Sequence, residues 1–182
     1  MNRIRIVIAG EGGQGAQTIA KLFALASFEN DKEVSYLPNF GVEQRGGVSV
    51  AFLQISDEDI PFPKFKFADL LVVLSPRSVE RSRIYVTKDT TVIFNSSFIK
   101  KTGYKAKKQF GVDATILARD ELTPRVFNII IAGAMMNFIP YLSSEDFKLA
   151  LKKQLGYKYE KNPELEELNN KAFDMGEKTI KK

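Results

Sequence analysis

Short apolar runs alternate with amphipathic stretches along the first two thirds of the chain. Residues 3–9 alternate and then run apolar, which predicts a strand, and residues 16–30 have the apolar spacing of a helix. The other elements predicted here are strands at 33–37, 48–55, 70–74 and 91–94, a short helix at 76–83 and an edge segment at 110–112. Strands that alternate with helices favour a sheet covered by helices.

The last third of the chain has helical spacing throughout. Three helices are predicted, at 123–138 with Thr123 as its cap, from Ser143 or Ser144 to 155, and from Asn162 and Pro163 onward. We therefore expect an α/β fold of three layers, α/β/α, with a Rossmann-like sheet that is mostly parallel or mixed. We expect the helical C-terminal third to belong to the same unit, so that residues 1–182 form one domain.

Residues 57–67 contain prolines and are predicted to be largely irregular. This stretch carries Phe62, Phe65 and Phe67, which is more aromatic surface than a free loop needs. We expect these side chains to cover either the core or a partner subunit, and the favoured hypothesis is an interface.

The inventory of side chains excludes several kinds of chemistry. The 182 residues include no cysteine and no histidine. The chain therefore has no thiolate for a disulfide, a zinc ion or an Fe–S cluster, and no serine–histidine or cysteine–histidine pair for nucleophilic catalysis. We expect no metal site and no catalytic residue here, so a cofactor or a partner chain must supply the reactive group.

The formal net charge of +5 fits an anionic ligand or an acidic partner, and equally fits no particular ligand. Residues 100–108 hold five lysines around Tyr104, and a solvated loop or a subunit contact is favoured over nucleic-acid binding because no such motif accompanies them. No apolar run approaches the ~20 residues that cross a bilayer. The first residues lack the pattern of a signal peptide. We expect a cytoplasmic protein that binds neither nucleic acid nor membrane.

The sequence GEGGQGAQ at residues 10–17 lies between the first strand and the first helix. Its glycines match the spacing G-x-G-x-x-G, in which bare backbone lets an anion approach the N–H groups of a helix N-terminus, although Glu11 would oppose a phosphate. The alternative is that the glycines only let the helix pack closely on the sheet. A dinucleotide is disfavoured, because Pro38 and Asn39 stand where a Rossmann site has an acidic residue for the ribose.

A second pair of glycines, Gly46 and Gly47, ends the sequence NFGVEQRGG at residues 39–47. Arg45 presents a rigid fork of N–H donors that suits a phosphate or a carboxylate, and Glu43 is placed to orient it. The alternative is a tight turn with a surface ion pair between Arg45 and Glu43, which would contribute at most about 1 kcal/mol. This motif alone leaves both interpretations open.

Together the two motifs resemble the gamma subunit of the 2-oxoacid:ferredoxin oxidoreductases, whose pattern is G-x-G-G-Q-G followed by Y-G-x-E-x-R-G-G. The segments VSVAFLQISDEDI, FADLLVVLSP, VIFNSS, FNIIIAGAM and NNKAFDMG also resemble that family, so the likeness spans nearly the whole chain. Phe40 departs from the pattern, since the family usually has tyrosine there. The two motifs look more like the branch that acts on 2-oxoglutarate or several 2-oxoacids than like the pyruvate branch.

The resemblance implies a subunit of an enzyme that cleaves a 2-oxoacid oxidatively, passes the acyl group to coenzyme A and reduces ferredoxin. It implies alpha-, beta- and delta-type partner subunits that carry thiamine diphosphate and Fe–S clusters, with no cofactor held by this chain alone. On this hypothesis the phosphates of coenzyme A or thiamine diphosphate, or the substrate carboxylate, are contacted by Gly12, Gly13, Gln14, Gly15, Glu43, Arg45, Gly46 and Gly47. A stand-alone nucleotide-binding sensor is the alternative function.

Overall fold

The computed structural model describes residues 3–39 and 47–180. The strands in this part are β1 Arg3–Glu11, β2 Glu33–Asn39, β3 Val48–Ser56, β4 Leu70–Val73, β5 Thr91–Asn95 and β6 Lys108–Val112. They form one sheet in the order β2-β3-β1-β4-β5-β6. Strands β1, β4, β5 and β6 run parallel, whereas β3 runs antiparallel to both of its neighbours. The sheet is therefore mixed.

Helices connect the strands and make up most of the last third of the described chain. The α-helices are α1 Ala16–Phe28, α2 Pro76–Ser82, α3 Ala114–Glu121, α4 Phe127–Met136, α5 Ser144–Lys161 and α6 Glu164–Thr179. Single turns of 3-10 helix at Arg83–Tyr85 and Pro124–Val126 follow α2 and precede α4. The predicted α/β fold with a helical C-terminal third is confirmed.

Both faces of the sheet are buried, and strand β1 shows how. Ile6 and Ile8 belong to the larger apolar cluster, which includes side chains from α1, α3, α4, α5 and α6. Val7 and Ala9 point to the opposite face and join a smaller cluster with side chains from α2, the 3-10 turn after it and the irregular segments. A strand buried on both faces reads as a continuous apolar run, as this one does.

Strand β2 is longer than the sequence predicts. We expected Pro38 to end it, but Pro38 pairs with Ala51 in the β2–β3 register and the strand continues to Asn39. The prediction was wrong because β2 lies at the edge of the sheet. A proline is tolerated in an edge strand, where no further strand needs its missing N–H.

The helices at the C-terminal end also differ from the prediction in their limits. The segment capped by Thr123 begins as a 3-10 turn, in which Oγ1 of Thr123 accepts from the N–H of Arg125 at 3.3 Å, and α4 follows it. Ser143 is the N-cap of α5, because it forms a reciprocal capping box with Asp146. Helix α5 continues through Gly156, which weakens a helix but need not end it.

The sequence analysis missed α3. Its fully buried side chains are only Ala114 and Ala118, four residues apart, and a pattern of two alanines is too weak to indicate a helix. Asp113 at the N-cap position was the available signal. Its carboxylate instead accepts a hydrogen bond from Ser96 at 2.6 Å.

Candidate functional site

The carboxyl ends of the parallel strands β1, β4, β5 and β6 lie at the same end of the sheet, and the glycine-rich turn that follows β1 lies there. Helix α1, which follows this turn, packs on the face of the larger cluster, whereas α2, which follows β4, packs on the other face. Strands β1 and β4 are neighbours in the sheet. Ligands of α/β proteins bind outside the carboxyl ends of the strands at such a point, where successive connections leave to opposite faces.

The turn is held in a backbone conformation that residues with a side chain rarely adopt. Gly13 has φ +90° and Gly15 has φ +84°. Gln14 closes the turn, because its N–H donates to the carbonyl of Glu11 at 3.0 Å and its Oε1 accepts from the N–H of Glu11 at 2.8 Å. One end of the Gln14 carboxamide is therefore committed to the turn. Its NH2 group makes no hydrogen bond to another described residue.

Gly13 and Gly15 are required for different reasons. A Cβ on Gly13 would meet no atom of the described residues within 4 Å, so this part of the chain leaves the space beside it open. A Cβ on Gly15 would lie 2.5 Å from Nδ2 of Asn128, the second residue of α4. Close packing thus explains the glycine at position 15 but not the one at position 13, where ligand approach stays a prediction.

The two glycine-containing motifs meet at this end of the sheet, beyond the carboxyl end of β1. The N–H of Gly12 donates to the carbonyl of Gly47 at 3.2 Å, just beyond the last paired residues of β1 and β3. The structure therefore places the first motif beside the end of the second. Glu43, Arg45 and Gly46 lie outside the described residues, and their predicted roles stay predictions.

The N-terminus of α1 opens onto the turn without a capping side chain. Gly15 is the N-cap, and no acidic residue stands in the first helical turn. The first N–H groups of a helix have no partner within it and carry the positive end of its dipole. An anion in the open space beside Gly13 would meet these groups, while the carboxylate of Glu11 would oppose it.

Gln17, which the sequence analysis did not single out, fixes α1 to the sheet just behind the turn. Its Nε2 donates to Oγ of Ser49 at 2.7 Å and to the carbonyl of Val50 at 3.2 Å. Its Oε1 accepts from the hydroxyl of Tyr36 at 2.7 Å. Burial raises the pKa of Tyr36, which keeps that hydroxyl protonated as a donor. One carboxamide thereby joins α1, β2 and β3 and holds the turn in place.

The VIFNSS segment ends just beyond the carboxyl end of β5, and its polar side chains form hydrogen bonds to α3. The buried Asn95 donates to Oγ1 of Thr115 at 2.9 Å, which ties the end of β5 to α3. Oγ of Ser97 accepts from the N–H groups of Thr115 and Ile116 at 3.2 Å each, so Ser97 caps α3 from outside the helix. This loop therefore holds the carboxyl end of β5 against α3.

Tyr104 lies in the core of the smaller cluster rather than on the surface with the surrounding lysines. It is 6% exposed, and its hydroxyl lies 2.6 Å from the carbonyl of Val79 and 2.9 Å from Oγ of Ser82. Burial raises the pKa of this hydroxyl. A ring in this position cannot stack on a nucleic-acid base.

The described residues show neither a metal cluster nor a membrane span. Across 3–39 and 47–180, no three or more side chains of histidine, cysteine, aspartate or glutamate are grouped to hold a metal ion. The same part of the chain has no helix with the length and apolarity that crossing a bilayer requires.

A family model described as pyruvate ferredoxin/flavodoxin oxidoreductase matches residues 5–179. The chain belongs to this family. The resemblance inferred from the two glycine motifs is thereby confirmed, and the turn, α1 and the meeting point at residue 47 lie inside the matched region.

Curated relatives include subunits of several such oxidoreductases. The chain is 34% identical over 157 residues to the pyruvate/ketoisovalerate oxidoreductases common subunit gamma of Pyrococcus abyssi, covering 82% of this chain and 85% of that one. It is 30% identical over 179 residues to the 2-oxoglutarate synthase subunit KorC of Archaeoglobus fulgidus, covering 98% and 90%. It is 32% identical over 150 residues to the ketoisovalerate oxidoreductase subunit VorA of Methanothermobacter thermautotrophicus, which covers 82% of this chain but only 31% of that relative.

Solved structures share the fold. The pyruvate oxidoreductase subunit PORC of Thermotoga maritima aligns with a TM-score of 0.79 at 25% identity, over 100% of this chain and 98% of that one. A 2-oxoglutarate:ferredoxin oxidoreductase of Magnetococcus marinus, solved with 2-oxoglutarate, coenzyme A and succinyl-CoA, aligns with a TM-score of 0.87 at 20% identity. That alignment covers 98% of this chain and 31% of the other.

Proposed function

We propose that this chain is the gamma subunit of an enzyme that oxidatively decarboxylates a 2-oxoacid, transfers the acyl group to coenzyme A and reduces ferredoxin. One relative, matched over 85% of its own length, is named as the common subunit gamma of pyruvate/ketoisovalerate oxidoreductases, which supports the proposal. Another, matched over 90% of its length, is named as 2-oxoglutarate synthase subunit KorC. A protein of the same fold has been solved with coenzyme A and a 2-oxoacid. The chain acts within a complex, because it has no cysteine or histidine of its own for the chemistry.

The observation that carries the proposal is the hydrogen bond between Gly12 and Gly47 at 3.2 Å, beside the uncapped N-terminus of α1. It brings both glycine motifs to one place where backbone N–H groups and open space coincide. The ligand that suits this place is a phosphate group, since helix N–H groups and bare backbone bind anions without a side-chain charge.

We assign roles within this site as follows. The main chain of residues 12–15 contacts a phosphate of coenzyme A or of thiamine diphosphate, with space for it beside Gly13. Gln14 holds the turn through its oxygen and donates to the ligand through its NH2 group. Arg45, oriented by Glu43, contacts a phosphate or the substrate carboxylate, and Gly46 and Gly47 let the backbone come close. Coenzyme A supplies the thiol that accepts the acyl group.

The partner subunits are of the alpha, beta and delta types, and they carry thiamine diphosphate and the Fe–S clusters that transfer electrons to ferredoxin. A cluster needs thiolate ligands, which this chain lacks. We propose that residues 1–182 act as one gamma-type domain and that the complex works in the cytoplasm. The substrate is 2-oxoglutarate or a related 2-oxoacid; the relatives are named for pyruvate, ketoisovalerate and 2-oxoglutarate alike.

The test is steady-state kinetics of the assembled enzyme with wild-type chain or variants. Arg45→Ala and Gly13→Ala are each expected to raise the KM for coenzyme A or for the 2-oxoacid at least about tenfold, the loss of one charge-assisted or well-fitted phosphate contact. Lys171→Ala is the matched control, because this exposed lysine of α6 belongs to neither glycine motif, and it should leave both constants unchanged. Unaltered kinetics in both test variants would remove these residues from the site.

Co-purification of the tagged chain from its native host distinguishes the alternative function. Thiamine-diphosphate-binding and Fe–S subunits should elute with the chain and carry 2-oxoacid:ferredoxin activity. A chain that elutes alone and binds a nucleotide tightly would instead be a stand-alone sensor that uses the same turn as its pocket.

A further inference from the structure

An apolar groove lies on the face of the sheet that carries α2, away from the glycine-rich turn. It has a volume of about 460 Å³ and is lined by Lys64, Phe65, Lys66, Ile84 and Tyr85. Two segments form it, the proline-containing stretch before β4 and the 3-10 turn after α2. The backbone joins them where the N–H of Ala68 donates to the carbonyl of Tyr85 at 2.9 Å.

Large apolar side chains on the two segments that form the groove are left in solvent. Ile84, which lines the groove, is 66% exposed; Phe62 and Phe67, which flank the lining residues in the sequence, are 75% and 39% exposed. Isolated exposed apolar side chains are common, but several on the segments that form one depression mark a surface that another molecule covers. The sequence analysis expected Phe62, Phe65 and Phe67 to cover the core or a partner. The structure divides them, because Phe65 packs on the core and Phe62 does not.

The proline-containing segment is held in place by the core, so its exposure is built into the fold. The side chain of Gln54, only 2% exposed, donates to the carbonyl of Phe62 at 2.6 Å. The ring of Phe65 packs edge-on against Phe52 with centroids 5.5 Å apart. A buried carboxamide thus fixes the backbone of an exposed phenylalanine. A surface fixed beforehand loses less entropy when it binds a partner.

The charges at the groove have one sign. Lys64 and Lys66 are exposed lining residues, and among the described residues that line the groove none is acidic. Arg81 on α2 lies close enough to Tyr85 to act on its hydroxyl electrostatically. Arg83 is engaged elsewhere, with Glu80 at 3.2 Å. The complementary partner therefore combines an apolar projection with carboxylates around it.

We propose that this groove is a docking surface for a partner subunit of the oxidoreductase, which inserts an apolar side chain flanked by aspartate or glutamate between Lys64 and Lys66. The inference rests on the proposed function, since it takes the partner from the same complex. It adds the face of the chain that the partner covers and the chemistry by which the partner is recognised. The apolar contacts supply affinity, and the lysines set orientation and specificity.

The direct test treats the assembled enzyme with a zero-length carbodiimide, which joins a lysine amine to a carboxylate only when the two are in contact. Mass spectrometry should find Lys64 or Lys66 joined to an aspartate or glutamate of a partner subunit. The matched controls are Lys171 and Lys178, two exposed lysines on helix α6. They should form no such link. Links only from the controls would overturn the proposal.

Variants measure the contribution of the groove to assembly. Lys64→Glu combined with Lys66→Glu, and separately Ile84→Asp, are each expected to raise the Kd for the isolated partner subunits at least about tenfold. Lys171→Glu combined with Lys178→Glu, and Leu149→Asp, are matched controls, since Leu149 is 59% exposed on α5. All variants should keep the thermal unfolding midpoint of the wild type, because every altered side chain is exposed. A test variant that unfolds is replaced by Lys64→Ala with Lys66→Ala.

The outcomes separate this inference from the proposed function. A complex that assembles with unchanged Kd in the groove variants would overturn the docking surface and leave the gamma-subunit function standing. Failure of the wild-type chain to assemble with any such subunit would overturn both. A fluorescent single-stranded oligonucleotide that binds the wild-type chain and is lost in the double lysine variant would show a nucleic-acid surface instead, and would also overturn the proposal.

Discussion

Asn128 of α4 lies directly against the main chain of Gly15, where a Cβ would come within 2.5 Å of its Nδ2. Gly13, two residues earlier in the same turn, has no described atom within 4 Å of where its Cβ would lie. Within this turn, Gly15 is therefore packed against α4, whereas Gly13 is not packed against any described residue. This division separates what the motif contributes to folding from what it leaves available to a ligand.

Gly15→Ala is expected to destabilise the chain by about 3 kcal/mol, and Gly13→Ala by about 1 kcal/mol. Both impose a positive φ on a residue with a side chain, at a cost of about 1–2 kcal/mol, but only the first also drives a methyl group into Asn128. Urea unfolding of the isolated chain measures both values. Adding Asn128→Ala should recover part of the loss in Gly15→Ala and none in Gly13→Ala, and equal destabilisation by the two single variants would refute the division.

Gly176 and Gly133 let helices α4 and α6 pack backbone to backbone. A Cβ on Gly176 of α6 would overlap the carbonyl oxygen of Ile130 in α4, and one on Gly133 would overlap that of Phe173. Gly176→Ala is therefore expected to destabilise the chain by about 3 kcal/mol or more, because two backbones would have to separate. The free energy of unfolding in urea is the measurement.

Gly156 of α5 supplies the control for that substitution. It also lies inside a helix, but a Cβ there would meet no atom of residues 3–39 or 47–180 within 4 Å. Gly156→Ala is expected to stabilise the chain by about 0.5–1 kcal/mol, since alanine loses less conformational entropy in a helix. If both alanine variants were stabilising, helices α4 and α6 would not be packed backbone to backbone.

These glycines show how far the sequence could lead. The strands were found because apolar alternation is local, and the resemblance already pointed to the segments that contain Gly133 and Gly176. Their contact depends on how α4 and α6 cross, which no local pattern reports. In the same way the sequence could mark both glycine motifs as candidate ligand-binding turns, with packing as the alternative, but it could not show that Gly15 packs against Asn128 while Gly13 does not. Pro38 was misjudged because its tolerance depends on an edge position.

Tyr104→Phe tests how much the hydroxyl of Tyr104, the buried tyrosine of the lysine-rich segment 100–108, contributes to the stability of the smaller apolar cluster. The variant loses the hydroxyl contacts with Val79 and Ser82 and is expected to be about 1 kcal/mol less stable. Tyr157→Phe is the control, because Tyr157 is 60% exposed and its change should stay within about 0.5 kcal/mol. A Tyr104→Phe chain as stable as wild type in urea would mean that the two hydroxyl contacts add no net stability.

Asp146 makes the stability of α5 depend on pH. The N–H and hydroxyl of Ser143 donate to its carboxylate at 2.8 Å each and hold its pKa below the ordinary value of 3.8. Because the folded-state pKa is the lower one, the carboxylate contributes stability above the unfolded-state pKa of about 3.9 and loses it as the pH falls through the folded-state value. Asp146→Asn should therefore cost about 1 kcal/mol at pH 7. The difference from wild type should shrink steadily below about pH 4.

Urea titrations at pH 7, 5, 4 and 3 measure this difference directly. Ser143→Ala is the companion variant, since it removes the hydroxyl but leaves the backbone N–H that donates to Asp146. It should retain part of the pH dependence, whereas Asp146→Asn should lose this component of it. A difference between wild type and Asp146→Asn that is as large at pH 3 as at pH 7 would mean that the capping box acts through its shape alone, with no contribution from the charge of Asp146.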